Sequence, residues 1–169
     1  PPPETGAPDI AGLPPAERAA AIDAMVAGLA ARLEGNPDDV EGWRMLARSY
    51  AVLGRLEESA GAYRALFARA AGLPEDHRSF VGVLASLGPG DGREAEMRAS
   101  VDALHDANPN DPMALYFRGL WARADGDIEA AADYWSRLLE ALPADAPVRP
   151  EIEAAVAELR ADEGAPPGE

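Results

Sequence analysis

Pro37-Asp38-Asp39-Val40-Glu41-Gly42-Trp43-Arg44-Met45-Leu46-Ala47-Arg48-Ser49-Tyr50-Ala51-Val52-Leu53-Gly54 has the pattern of one amphipathic helix between two stop signals. Trp43, Leu46, Ala47 and Tyr50 recur at spacings of three and four, the helical period, and Gly54 ends the run. Asp38 stands where an N-cap is needed. Beyond Gly54 a second helical run follows through Ser59, Tyr63 and Leu66, so the two form a helical hairpin. The same marks return further along the chain. Gly54, Tyr63 and Leu66 recur 72 residues later as Gly126, Trp135 and Leu138, and Pro37 recurs as Pro109.

An offset of 72 is two periods of 34 plus four residues. Stepping 34 forward from Gly54 reaches Gly88, and 34 back from Gly126 reaches Gly92, which places the extra residues at Gly88-Pro89-Gly90-Asp91. That is a turn between two helices, where an insertion costs least. A helix-turn-helix unit of 34 residues with large, small and aromatic positions is the tetratricopeptide repeat. The first repeat carries Trp43, Leu46, Ala47, Tyr50, Gly54, Ser59 and Tyr63, and the third carries Gly119, Gly126, Ala131, Trp135 and Pro143. Small Ala47, Gly119, Ser59 and Ala131 permit close helix approach, while Trp43, Tyr50, Tyr63 and Trp135 fill the space between repeats. The middle repeat is degenerate, with His77, Phe80, Val81 and Leu84 at the corresponding places.

The fold class expected is all-α: a tetratricopeptide helical-hairpin repeat solenoid of about three repeats, over 40–73, 74–111 and 112–145. Pro15 to Glu34 forms an amphipathic helix ahead of them, and a capping helix over 147–161 follows with Ile152, Val156 and Leu159. That makes eight helices within a domain spanning 14–161. Asp111 caps the third repeat, with Pro112 at its first helical position, and Pro74 opens the middle one. Residues 1–13 and 162–169 are rich in Pro, Gly and acidic residues and read as linker and tail. The start Pro1-Pro2-Pro3-Glu4 resembles a fragment or processed piece, so targeting information is expected upstream.

Thirty acidic residues against fifteen arginines and no lysine give a net charge of −15 and exclude nucleic acid or anionic lipid as partners bound by bulk charge. No cysteine is present, which removes thiolate metal sites and cysteine nucleophiles. No run of about 18 apolar residues spans a membrane. His77 and His105, the only imidazoles, match no metal-ligand spacing, and Gly88-Pro89-Gly90 lacks the lysine of a phosphate loop. Asp38-Asp39 and Glu57-Glu58 lie at helix starts, where the helix dipole accounts for them without a catalytic pair. The chain reads as a non-enzyme, with no cofactor and no metal.

The first helix of each repeat lines the inner surface of such a stack. By phase this puts Arg44, Arg48 and Val52 there from the first repeat, Arg78 from the second, and Met113, Tyr116, Leu120 and Arg123 from the third. Four arginines beside an apolar strip, in an otherwise acidic chain, suit an amphipathic helix that carries carboxylates. Equally, each arginine can pair with a neighbouring acid, as Glu41 could do for Arg44 or Arg48.

Met25-Val26-x2-Leu29-x2-Arg32-Leu33, Pro37-Asp38-Asp39-x2-Gly42-Trp43-x2-Leu46-x-Arg48-Ser49-Tyr50 and Gly126-Asp127-x2-Ala130-Ala131-x3-Trp135-x2-Leu138-Leu139-x2-Leu142-Pro143 together resemble the periplasmic domain of the CcmI/CycH family of cytochrome c maturation. Ala47, where that family usually has glycine, Arg118, where it has an apolar residue, and the weak middle repeat are departures. The resemblance implies a non-catalytic chaperone module, periplasmic and held to the inner membrane by an upstream anchor. Its partners would be apocytochrome c, bound by its C-terminal helix, and other cytochrome c maturation and haem ligation proteins. A general tetratricopeptide scaffold in another bacterial assembly pathway is the alternative.

Overall fold

The computed structural model describes residues 12–163, and among these every regular element is a helix. The expected linker and tail fall outside the described residues, except at 12–13 and 162–163. The chain divides into two compact units at Gly72 and Leu73.

The first unit holds α1 (Pro15–Gly35), α2 (Val40–Val52) and α3 (Leu56–Phe67). The α2–α3 hairpin closes as the sequence predicts. Gly54 takes φ +71°, its N–H donates to Ala51 O (3.0 Å) and that of Arg55 donates to Tyr50 O (2.8 Å). This paired closure satisfies carbonyls that the helix end leaves open, and a left-handed residue is needed to form it. Small residues bring the helices together: Ser59 Oγ donates to Ala47 O at 2.8 Å, and both residues are buried. Leu33, Leu46, Tyr63 and Leu66 form the interior.

Two expectations are corrected here. The cap of α2 is Asp39, which accepts from Gly42 N–H at 2.8 Å, while Asp38 stands in solvent 4.0 Å from Arg69. Trp43 and Tyr50 are half-buried, unlike Tyr63. The Trp43 indole N–H donates to Pro37 O at 2.8 Å, and the guanidiniums of Arg69 and Arg55 cover the Trp43 and Tyr50 rings at 5.5 and 4.6 Å. A polar ring edge that finds a partner at the surface does not have to be buried further.

The second unit holds α4 (Pro74–Leu87), α5 (Arg93–Ala107), α6 (Pro112–Ala124), α7 (Ile128–Ala141) and α8 (Arg149–Glu163). The turn at Gly126 repeats the first hairpin's closure, with Gly126 N–H to Arg123 O at 3.1 Å and Asp127 N–H to Ala122 O at 2.8 Å. The α4–α5 turn is longer, from Gly88 to Gly92, and both of those glycines have positive φ. The inferred insertion lies in this turn. Despite its degenerate sequence, the middle pair buries Phe80, Val81, Leu84, Val101 and Leu104. Trp135 is buried between α6 and α7, its indole N–H donating to Tyr116 O at 3.2 Å. Ile152, Val156 and Leu159 of α8 pack on Leu115, Trp135 and Leu138. α8 begins at Arg149, later than the expected Pro147, because Arg149 N–H closes a turn on Ala146 O (3.0 Å). The Arg149 guanidinium then caps the end of α7 through Leu139 O and Leu142 O at 2.5 and 2.9 Å.

Candidate peptide-binding surfaces

In the first unit, α1 spaces Ile22, Met25, Val26, Leu29 and Leu33 along one side, yet only Val26 and Leu33 are buried. α1 packs chiefly on α2, and one neighbouring helix cannot cover so wide an apolar face. The uncovered part forms the wall of a groove of about 860 Å³ between α1 and α2. Met25 on one wall is 54% exposed, and Met45 and Val52 on the other are 59% and 88% exposed. Contiguous uncovered apolar surface of this kind marks a binding surface far better than scattered single residues do.

Charge around the groove runs against the rest of the chain. Its lining carries Arg32, Arg44 and Arg48 with Glu41 as the one acid. Arg44 is buried (8% exposed) and paired with Glu41, so it acts as a neutralised part of the wall. Arg32 lies 3.5 Å from Asp39 and Arg48 is exposed. Of the expected site, Arg44, Arg48 and Val52 therefore meet in this groove. Met45 and the whole α1 wall went unpredicted. The signal was there in α1, whose apolar positions outnumber what one packing partner can bury.

In the second unit, Arg78 donates to Asp111 at 2.6 Å, and Asp111 is 1% exposed. The same carboxylate caps α6, accepting from Met113 and Ala114 N–H at 3.0 and 3.1 Å. Arg78, Met113 and Tyr116 then line an apolar pocket of about 440 Å³ together with Phe117, Leu138 and Leu142. Leu120 packs against the α7–α8 cluster instead, and Arg123 reaches Glu158 on α8 at 3.4 Å. Arg44, Arg78 and Arg123, all expected to face a ligand, thus hold carboxylates of their own chain.

Elsewhere in that unit, Arg98 covers the half-buried Trp121 at 4.5 Å, and Arg118 pairs with Asp102 at 2.6 Å and Tyr134 Oη at 3.3 Å. Burial works against the charge of Arg118, but Tyr134 and Asp102 outweigh it and raise its pKa. This is how the fold accommodates arginine where an apolar residue is expected. His105 is half-buried, and burial, reinforced by Arg118 and Arg137, lowers its pKa. His77 Nδ1 lies 3.2 Å from Ser100 Oγ, a packing position. Among the described residues, no group of three or more His, Asp or Glu side chains could hold a metal ion.

A sequence family described as the cytochrome c-type biogenesis protein H TPR domain matches residues 17–149. The cytochrome c-type biogenesis protein CycH of Bradyrhizobium diazoefficiens is 35% identical over 159 residues, covering 89% of this chain and 43% of that protein. CycH of Rhizobium meliloti is 29% identical, over 96% of this chain and 43% of its own length, and CycH of Pseudomonas aeruginosa 28%, over 82% and 34%. The chain therefore spans less than half the length of these relatives. Among solved structures, two of MamA superpose with TM-scores of 0.61 and 0.62 at 12% identity, covering 88% and 85% of this chain and 82% and 74% of theirs. At that identity the likeness is one of fold.

Proposed function

The chain belongs to the cytochrome c-type biogenesis protein H TPR family, and on that premise we propose that it is the part of a cytochrome c maturation protein that captures apocytochrome c. The family is non-catalytic, and its domains are periplasmic parts of membrane-anchored bacterial proteins. No described helix is itself long and apolar enough to cross a membrane. In this reading the chain holds the C-terminal helix of the apocytochrome and presents it to the haem ligation proteins.

The observation that carries the reading is the uncovered apolar surface of the first unit, where Met25, Met45 and Val52 stand open between two helices with arginines around them. An unfolded client offers the complementary element, an amphipathic helix whose own core is not yet formed, and helix-in-groove docking buries both apolar faces. Calorimetric titration of the chain with a synthetic apocytochrome C-terminal helix tests this. Saturable binding with a negative heat-capacity change is expected, since apolar burial lowers the heat capacity. Absence of heat at tens of micromolar peptide, or preference for folded holocytochrome, would favour a general scaffold instead.

A further inference from the structure

We infer that Met25 and Met45 form a reversible oxidation switch in the α1–α2 groove: a peroxide converts both thioethers to sulfoxides, and the groove then releases its apolar guest. This rests on the capture reading above and adds a means of regulating it. The chain has four methionines and no cysteine, so thioethers are its only sulfur atoms. Exposure divides them into two pairs. Met25 and Met45 are 54% and 59% exposed and line opposite walls of one groove. Met97 and Met113 are half-buried and pack against Val81, Val101, Leu104 and Ala114. Oxidation follows access, so the groove pair reacts first. The family's periplasmic setting lies outside the reducing thiol pool of the cytosol.

The step balances with the peroxide alone. The sulfur lone pair attacks one peroxide oxygen, an S–O bond forms and the O–O bond breaks. The departing hydroxide takes the proton of the transferred oxygen and leaves as water. Sulfur is oxidised by two electrons and the peroxide is reduced by the same two. A flexible apolar side chain becomes a polar one with a strong acceptor oxygen. Ile22, Leu29 and Val52 in the same lining offer no hydrogen-bond donor, and Arg32 and Arg44 are held by Asp39 and Glu41. Water solvates the sulfoxides while the groove is empty. A docking apolar face strips that water and supplies no donor in its place, so affinity falls. The fold itself is untouched, because neither methionine belongs to the buried interior of Val26, Leu33, Leu46 and Tyr63. Loss of binding without loss of structure separates a switch from damage.

The whole chain is treated with hydrogen peroxide, cleared with catalase and titrated with a synthetic apocytochrome C-terminal helix in which any methionine is replaced by norleucine. Peptide mass mapping should find one added oxygen at Met25 and at Met45 before Met97 or Met113. Affinity should fall at least about tenfold while helicity and melting temperature hold, and methionine sulfoxide reductases A and B together should restore it. Met25→Leu with Met45→Leu should bind the helix before and after peroxide alike, and Met25→Gln with Met45→Gln should bind weakly without any peroxide. Oxidation of both groove methionines at unchanged affinity would make them scavengers and overturn the proposal. Peroxide sensitivity that persists in the leucine variant, or prior oxidation of Met97 or Met113, would overturn it too. If the untreated chain binds no helix, the capture reading falls, and the fluorescence of an anilinonaphthalene sulfonate dye decides the switch. A signal lost on oxidation of the unaltered chain and kept in the leucine variant upholds it; any other result overturns it.

Discussion

Gly119 lies so close to the indole of Trp135 that a Cβ built there would be 2.1 Å from Nε1. Both sides of that contact are buried, and the same indole N–H donates to Tyr116 O. Gly119→Ala should therefore push the ring out of register and cost about 1–3 kcal/mol, read as a lower urea midpoint with a shifted tryptophan emission. His105 offers a test of a different kind. Its pKa is lowered by burial and by Arg118 and Arg137, so the unfolded chain takes up this proton more readily than the folded one. The stability held by neutral His105 is complete above its ordinary value of 6.5 and is lost as the pH falls below it. His105→Gln should flatten that part of the stability profile, measured by urea melts at about pH 5 and about pH 7.5. Position 119 was legible because glycine and tryptophan occupy set places in the repeat. The environment of His105 was not, since it depends on arginines 13 and 32 residues away in the chain.

Among the elements, the hairpin turns show how far local chemistry carries. Gly54 and Gly126 predict their own left-handed closures, and the caps at Asp39 and Asp127 each accept a backbone N–H from the first turn that follows. Asp39→Ala and Asp127→Ala should each cost about 1 kcal/mol in thermal or urea unfolding. Which of Asp38 and Asp39 caps α2 could not be read from the pair itself, as both are good caps. The register is set by Gly42, where a Cβ would come within 2.6 Å of Asp39 Oδ2 and of Leu33 Cδ2 on α1, a contact made across helices. The Gly88–Gly92 turn already accommodates the insertion that breaks the repeat period. Adding Gly-Ser after Pro89 should change stability by no more than about 0.6 kcal/mol, the closure cost of a doubled loop.

On the scale of the whole molecule, α8 shows why a repeat array needs an end. Ile152, Val156 and Leu159 cover Leu115, Trp135 and Leu138, which would otherwise face water. Deleting 149–169 should cost the second unit on the order of 5 kcal/mol, from three aliphatic side chains at about 1.5–3 kcal/mol each, and should leave it prone to aggregation in light scattering. The sequence by itself determined the helices, their pairing into 34-residue repeats, the position of the insertion and the family, because each of these depends on periodicity and on residue types at short separation. Tertiary structure alone decided which apolar and charged side chains remain available. Met25 and Met45 have the same helical spacing as core residues, and only the count of packed neighbours leaves them open. Arg78 and Arg123 look like ready cations in the chain, and only the fold brings Asp111 and Glu158 to them, whereas the Glu41–Arg44 pair follows from their spacing on one helix. Burial and ion pairing are sums over every element that packs around a residue, whereas a helical period is a property of its own segment.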